Sequence, residues 1–155
     1  MSIVQKLIEK NVKEHGLAIQ FIFPTKEQPG PKFAYTVGMT DIGQPELVVI
    51  GLPESLAGMV FNRVFEELRA GTRTGQETSI EKVLSVPLLM HTADESLAYP
   101  YTVQCQRYYQ ERGIKPAFKQ LIWPDTAGVY PHEQGFDEEM VDLQPYLCNQ
   151  SSTAE

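Results

Sequence analysis

The chain has 155 residues, a length that fits one domain built around a single hydrophobic core. Hydrophobic residues make up 42% and charged residues 21% of the sequence, and no apolar run approaches the roughly 20 residues that a membrane-spanning helix needs. The amino-terminal segment lacks the apolar core and cleavage site of a secretory signal. We therefore expect a cytoplasmic protein, with residues 1–150 forming a single α+β domain and residues 151–155 a flexible tail.

The net charge of −7 arises in the last quarter of the chain. Residues 1–119 contain 13 basic and 13 acidic side chains, whereas residues 120–155 contain 7 acids and no Lys or Arg. An acidic surface repels phosphate backbones, so no nucleic-acid partner is expected. Two interpretations stay open: a solvated edge, or a docking surface for a basic protein partner. The acids concerned are Glu133, Asp137, Glu138, Glu139 and Asp142.

The first half of the chain predicts a helix followed by three strands. Apolar residues recur at spacing four over residues 4–12, and a glycine follows at the position of a C-cap. Residues 17–23 and 32–40 are rich in β-branched and aromatic side chains, which predicts an antiparallel pair of strands. The apolar run 46–51 indicates a strand covered on both faces at the centre of the sheet.

The second half alternates between helix and strand signals. Residues 53–70 predict a helix that starts at a proline and stops before a glycine, and residues 80–90 predict an extended run. Residues 101–112 predict a third helix, and residues 117–123 predict a last strand. The whole pattern predicts an α+β fold, with a mainly antiparallel sheet of about five strands and helices packed on one face.

The motifs of several functional classes are absent from the sequence. Cys105 and Cys148 are too few and too far apart for a disulfide framework, and three histidines at positions 15, 91 and 132 lack the short spacings of metal ligands. The chain contains no glycine-rich phosphate loop and no nucleophile elbow. We therefore predict no metal site and no cofactor, and we expect two free thiols.

Two histidines are candidates for acid–base chemistry. His91 ends an apolar run, where strands often present functional side chains, and Asp94 or Asp125 is a candidate partner to orient its ring. His132 lies in a constrained loop with Asp125 and Tyr130 nearby. For each histidine the alternative is a purely structural role.

The segment 119–137 contains the only tryptophan together with several prolines, glycines and aromatic residues. Pro124 excludes helical geometry at Trp123, and the Asp125 carboxylate is expected to accept backbone N–H groups in an Asx-type turn. Trp123 then either caps one end of the core or forms the wall of an apolar pocket.

A strand over residues 33–38 provides the other side of that predicted pocket. Strand alternation places Tyr35 on one face and Thr36 and Gly38 on the other. Gly38 indicates a close approach, either of a ligand or of a packed helix. The predicted pocket residues are Tyr35, Thr36, Gly38, Trp123, Asp125, Tyr130 and His132.

Three blocks of sequence occur in an order that is typical of one protein family. They are FAYTVGM at 33–39, QPELVVIGLP at 44–53, and a set between residues 120 and 145 that includes WPD, GFD and QP. Together they resemble, over about residues 14–147, the bacterial family catalogued as domain of unknown function 4262. The resemblance implies no activity, cofactor or partner. His132 stands where the family pattern has an aromatic residue, so a pocket at that position would differ in chemistry.

Three functions remain open at this point. The first is a small binding module whose pocket lies between the Tyr35 strand and the loop from Trp123 to Asp137. The second is an interaction protein, such as an inhibitor, immunity or adaptor protein, that uses the acidic carboxyl-terminal surface. The third is a small-molecule enzyme that uses His132 or His91 with Asp125. A flavin is a subordinate alternative there, because residues 36–50 are loosely similar to a strand pair of flavin reductases. The partner is thus a small molecule or a basic protein, and no membrane is expected.

Overall fold

The computed structural model describes residues 2–148. The predicted tail at 151–155 lies outside this range. The helices are α1 (Ile3–His15), α2 (Glu54–Ala70), α3 (Glu95–Ala98) and α4 (Val103–Gln110). The strands are β1 (Ala18–Ile22), β2 (Phe33–Val37), β3 (Glu46–Ile50), β4 (Ser79–Ile80), β5 (Leu88–Thr92) and β6 (Phe118–Ile122). Short 3₁₀ helices cover Met39–Ile42, Tyr99–Tyr101 and Glu138–Met140. Among these described helices, none has the length and apolar character required to cross a bilayer.

All six strands form one mixed sheet in the order β1-β2-β3-β6-β5-β4. Every neighbouring pair is antiparallel except β3 and β6, which run parallel. Two antiparallel units of three strands therefore meet at one junction, which we call the parallel seam. The predicted α+β class and the mainly antiparallel sheet are confirmed, as is the central position of β3.

The sheet has six strands where about five were predicted, because the run 80–90 is divided. The structure contains β4 at its start and β5 at its end. Between them Lys82 adopts a φ of 66°, in the left-handed region that an extended strand does not visit. The break separates the two strands, which then pair antiparallel with each other.

Helices cover both faces of the sheet, so the prediction of helices on one face was wrong. On one face Ala34, Val49 and Leu121 pack with α2. On the other face Tyr35 and Val48 pack with α1, α4 and the carboxyl-terminal segment. The cause is visible in β3, which is buried along its whole length and needs apolar cover on both sides.

One acidic side chain, that of Glu46, is completely buried where β3 begins. The Glu46 carboxylate accepts hydrogen bonds from the hydroxyl groups of Thr36, at 2.7 Å, and Thr40, at 2.5 Å. It also accepts from the backbone N–H groups of Gly38, Met39 and Thr40. Burial raises the pKa of Glu46, and these hydrogen bonds oppose the rise. The carboxylate thus holds the 3₁₀ turn after β2 against the start of β3.

Candidate functional site

The two histidines singled out in the sequence lie side by side. The ring centroids of His91 and His132 are 4.6 Å apart in an edge-to-face arrangement. The Tyr146 hydroxyl lies 2.7 Å from Nδ1 of His91, and the Tyr146 ring stacks on His132 at 6.0 Å between centroids. Tyr130 approaches His132 from another side, with centroids 6.3 Å apart. We call His91, Tyr130, His132 and Tyr146 the imidazole cluster.

Three separate parts of the chain build the imidazole cluster. His91 comes from β5, and Tyr130 and His132 come from the loop that follows β6. The Tyr130 hydroxyl donates to the carbonyl of Pro87 at 2.7 Å, which ties this loop to the start of β5. Tyr146 comes from the carboxyl-terminal end of the described chain. The cluster therefore exists only when the sheet and both segments are in place.

Residues 144–148, which we call the C-terminal strap, are held by two buried glutamines. The Gln120 side chain accepts from the N–H of Leu147 at 2.7 Å and donates to the carbonyl of Pro145 at 2.8 Å. The Gln144 side chain pairs in the same way with the N–H and carbonyl of Trp123, both at 2.9 Å. In each case a glutamine side chain makes the pair of hydrogen bonds that a neighbouring strand would make. The pair from Gln120 holds the residues on either side of Tyr146 and so fixes its position.

The carboxylates expected to orient an imidazole are committed to the backbone. The Asp125 carboxylate accepts from the N–H groups of Val129 and Asp137, each at 2.9 Å, and these bonds hold the pKa of Asp125 below its usual range. Asp94 caps α3 through hydrogen bonds to the N–H groups of Ser96 and Leu97. The predicted Asx-type turn at Asp125 is confirmed, and a tyrosine takes the place of a carboxylate beside His91.

Both imidazoles are half-buried, and this environment sets their electrostatics. Burial lowers the pKa of His91, and the charge that His132 carries when protonated lowers it further. Nδ1 of His132 is buried and has no hydrogen-bond partner among the described residues. At neutral pH the site therefore offers a neutral imidazole with a fixed ring beside a second imidazole that has unused hydrogen-bonding capacity.

Comparison with known protein families places the chain. A family model described as Domain of unknown function (DUF4262) matches residues 11–137. The chain belongs to this family. No curated protein and no solved structure matched it in two further comparisons. The DUF4262 match includes His91, Tyr130 and His132, whereas Tyr146 and the rest of the C-terminal strap lie beyond its end.

Tyr35 of this DUF4262 chain shares a sheet face with His91 without reaching it. Cross-strand partners place Tyr35, Val48, Gln120 and His91 in one row across β2, β3, β6 and β5. Three strand spacings separate the ends of this row by about 14 Å. The C-terminal strap occupies the intervening face, and the Tyr35 hydroxyl accepts from the N–H of Gln104 in α4 at 3.1 Å. Burial raises the pKa of Tyr35 to about 12.

Thr36 and Gly38 serve the turn after β2. The Thr36 hydroxyl donates to the Glu46 carboxylate and accepts from the N–H of Leu47 at 2.9 Å. Gly38 has a φ of 127°, and a Cβ at this position would collide with the carbonyl oxygen of Gly16. The close approach inferred from the sequence is therefore made by the turn between α1 and β1, and neither by a ligand nor by a helix packed across the sheet.

Trp123 fastens the loop after β6 to the neighbouring strand. Its indole N–H donates to the carbonyl of Ile50 at 2.8 Å, and its half-buried ring packs on the core beneath α2. Gly51 allows this contact, because a Cβ there would lie 2.8 Å from the indole and 2.7 Å from the carbonyl oxygen of Leu143. These contacts favour the core-capping interpretation of Trp123.

The seven predicted pocket residues thus have three different sets of partners. Tyr35, Thr36 and Gly38 contact α4 or the turn around Glu46, Trp123 and Asp125 organise the loop, and only Tyr130 and His132 join the imidazole cluster. Among residues 2–148, no three His, Cys, Asp or Glu side chains come close enough to hold a metal ion.

Sequence reasoning missed Tyr146 and the two glutamines that place it. Gln120 and the Gln144–Pro145 pair occur in the blocks that carry the family resemblance, and this was the available signal. Their partners lie 21 to 27 positions away along the chain, beyond any local pattern.

Proposed function

We propose that this DUF4262 protein is a small-molecule enzyme that binds a polar ligand at the imidazole cluster and exchanges a proton with it. One observation carries the proposal: the Tyr146 hydroxyl lies 2.7 Å from Nδ1 of His91, directly beside the ring of His132. An oriented, neutral imidazole is the most common general base in proteins.

The hydrogen bond to Tyr146 defines how His91 would act as a base. When Nδ1 carries the proton and donates it to the tyrosine oxygen, Nε2 has a free lone pair. Because burial lowers the pKa of His91, the neutral form is the main one at neutral pH. His91 is then ready to accept a proton from a hydroxyl or amide group of a ligand.

His132 supplies the second half of the proposed acid–base pair. Its Nδ1 lacks a partner within the described part of the chain, and an unpaired buried polar atom is unfavourable. A ligand whose binding exposes this nitrogen and completes its hydrogen bond gains binding free energy.

Binding is tested by nuclear magnetic resonance with a library of small polar fragments. We expect fragments that bind to shift the Cε1–H signals of both His91 and His132 while leaving the exposed His15 unchanged. Replacing His132 by Gln should weaken these fragments, whereas His15→Gln should have no effect. Fragments that bind only elsewhere, or bind equally well to His132→Gln, would overturn the proposed site.

The proton-transfer step is tested with p-nitrophenyl acetate, a general probe of reactive imidazoles. We expect hydrolysis above background, with a rate that rises with pH as His91 loses its proton, and we expect His91→Gln to abolish it. His15→Gln is the matched control. Equal rates for the wild type and His91→Gln would reduce the function to binding alone. A bound flavin is a separate alternative, and flavin absorbance bands in the purified protein are its test.

A further inference from the structure

We propose that copies of this chain associate head to tail, with a basic, apolar groove beside α4 of one copy receiving the acidic segment 138–143 of the next. This inference does not depend on the function of the imidazole cluster. It joins two surfaces that have no role in the site described above.

The groove lies along α4 and the connection from α4 to β6, with a volume of about 460 Å³. Its apolar wall contains Tyr99, which is 58% exposed, and Ile114, which is 45% exposed, together with Val103 and Pro116. Large apolar side chains in a concave surface bind the apolar side chains of a partner better than they bind water.

Two cations border this apolar wall. Arg107 makes no ion pair with any carboxylate in residues 2–148. Lys115 pairs with Glu95 at 2.7 Å, but both side chains are at least two-thirds exposed, and such pairs are weak and easily exchanged. The groove therefore favours a partner that has carboxylates next to aliphatic side chains.

The segment 138–143 of this chain has that chemistry. Glu138, Glu139 and Asp142 are exposed and form no ion pair within the described residues. Val141 is 50% exposed and Leu143 is 51% exposed, so two half-exposed aliphatic side chains lie among the carboxylates. Charge and apolar surface are both complementary to the groove.

The groove and the segment lie at opposite ends of the sheet. Lys115 and Pro116 precede β6, which places the groove where β3 and β6 begin. The backbone carbonyl of Leu143 lies against Gly51, directly after β3, which places the segment where these two parallel strands end. One copy cannot join its own two surfaces. A contact between different surfaces of successive copies generates open chains or rings.

The net charge of −7 favours this one relative orientation of two copies over the others. Two identical acidic molecules repel each other in most orientations, because like charges face each other. Placing the groove against the acidic segment brings opposite charges together. We therefore expect weak, concentration-dependent association that uses this contact alone.

Sedimentation analysis over a wide concentration range tests the proposal. We expect the wild type to form a series of species beyond the dimer. Arg107→Glu disables the groove and V141S/L143S disables the segment, so each variant alone should remain monomeric with an unchanged circular dichroism spectrum. Mixed together, they retain one working groove and one working segment, and they should form heterodimers that do not extend.

Arg63→Glu makes the same change of charge on the exposed side of α2 and is the matched control, which should assemble like the wild type. A wild type that remains monomeric up to its solubility limit would overturn the proposal. So would variants that assemble like the wild type, or a mixture that stays monomeric.

Discussion

At the scale of single residues, the most demanding feature is the buried carboxylate of Glu46. An ionised group in the core is stable only when hydrogen-bond donors replace the water that it loses. Five donors do so here, three from the backbone and two from threonine hydroxyls. Glu46 thereby connects the turn after β2 to the start of β3.

Replacing Glu46 by Gln should lower the free energy of unfolding by about 2–3 kcal/mol. The amide nitrogen of Gln would face backbone N–H groups, and it cannot accept hydrogen bonds from them. Chemical denaturation followed by circular dichroism measures the loss. Glu27→Gln, in the exposed loop between β1 and β2, is the control and should have no effect. Equal stability of both variants would show that the carboxylate charge is dispensable.

The pH dependence of His91 is a second prediction at this scale. Its folded pKa lies below the unfolded value of 6.5, so the neutral form stabilises the fold. This contribution is complete above pH 6.5 and is lost as the pH falls through the folded pKa of His91. Replacing His132 by Gln removes a nearby charge and should raise the pKa of His91. Titration of the imidazole protons by nuclear magnetic resonance measures the pKa of His91 in the wild type and in His132→Gln. An equal pKa in the two proteins would contradict the coupling.

At the scale of elements, the C-terminal strap decides whether the imidazole cluster forms. It is held by side-chain amides of Gln120 and Gln144 and by the N–H of Asp94, which donates to the carbonyl of Leu147 at 2.8 Å. Cys148 is the last residue of the strap and is buried, and this burial raises its pKa to about 11. The reactivity of this thiol therefore reports whether the strap is in place.

Replacing Gln120 by Leu should release the strap, because it leaves the N–H of Leu147 and the carbonyl of Pro145 without partners. We expect alkylation of Cys148 to become at least severalfold faster, while Cys105, on the buried face of α4, stays protected. Mass spectrometry after timed alkylation measures both thiols in one sample. Gln28→Leu on the surface is the control, and protection of Cys148 in Gln120→Leu would show that the strap has other anchors.

The elements that the sequence predicted well carry local signals. Glycines with left-handed backbone follow α1 and α2 at Gly16 and Gly71, as the C-cap pattern indicated. The four-residue helix α3 and the two-residue strand β4 are too short to produce a period and were missed. The cover of both sheet faces also has a signal in the sequence, the apolar run of β3, which requires helices on both sides of the sheet.

The sequence identified three residues of the imidazole cluster, but it did not predict that they come together. His91 and His132 were identified from their local surroundings, yet they are 41 positions apart (132 − 91) and only the sheet brings them together. Asp125 was assigned to an imidazole, although the adjacent backbone N–H groups satisfy it first. Tyr146 had no local motif. Pairing across strands and loops is set by tertiary packing, which a local sequence pattern does not contain.

At the scale of the whole molecule, the parallel seam joins two units that are otherwise local in sequence. The indole N–H of Trp123 donates to the carbonyl of Ile50 and so crosses the seam at its end. Replacing Trp123 by Phe should lower the free energy of unfolding by about 1–3 kcal/mol, through the lost hydrogen bond and the smaller ring. Urea denaturation followed by circular dichroism measures it, and a midpoint equal to that of the wild type would show that the two units need no such tie.

The parallel seam also sets an order of events during synthesis. The first partners across it, Glu46 and Phe118, are 72 positions apart (118 − 46), whereas β1 and β2 pair through a short loop. A chain emerging from the ribosome therefore presents the apolar β3 with one unpaired edge until β6 has been made. Truncated chains that stop before residue 118 should aggregate through this edge, and the cell has to shield or degrade them.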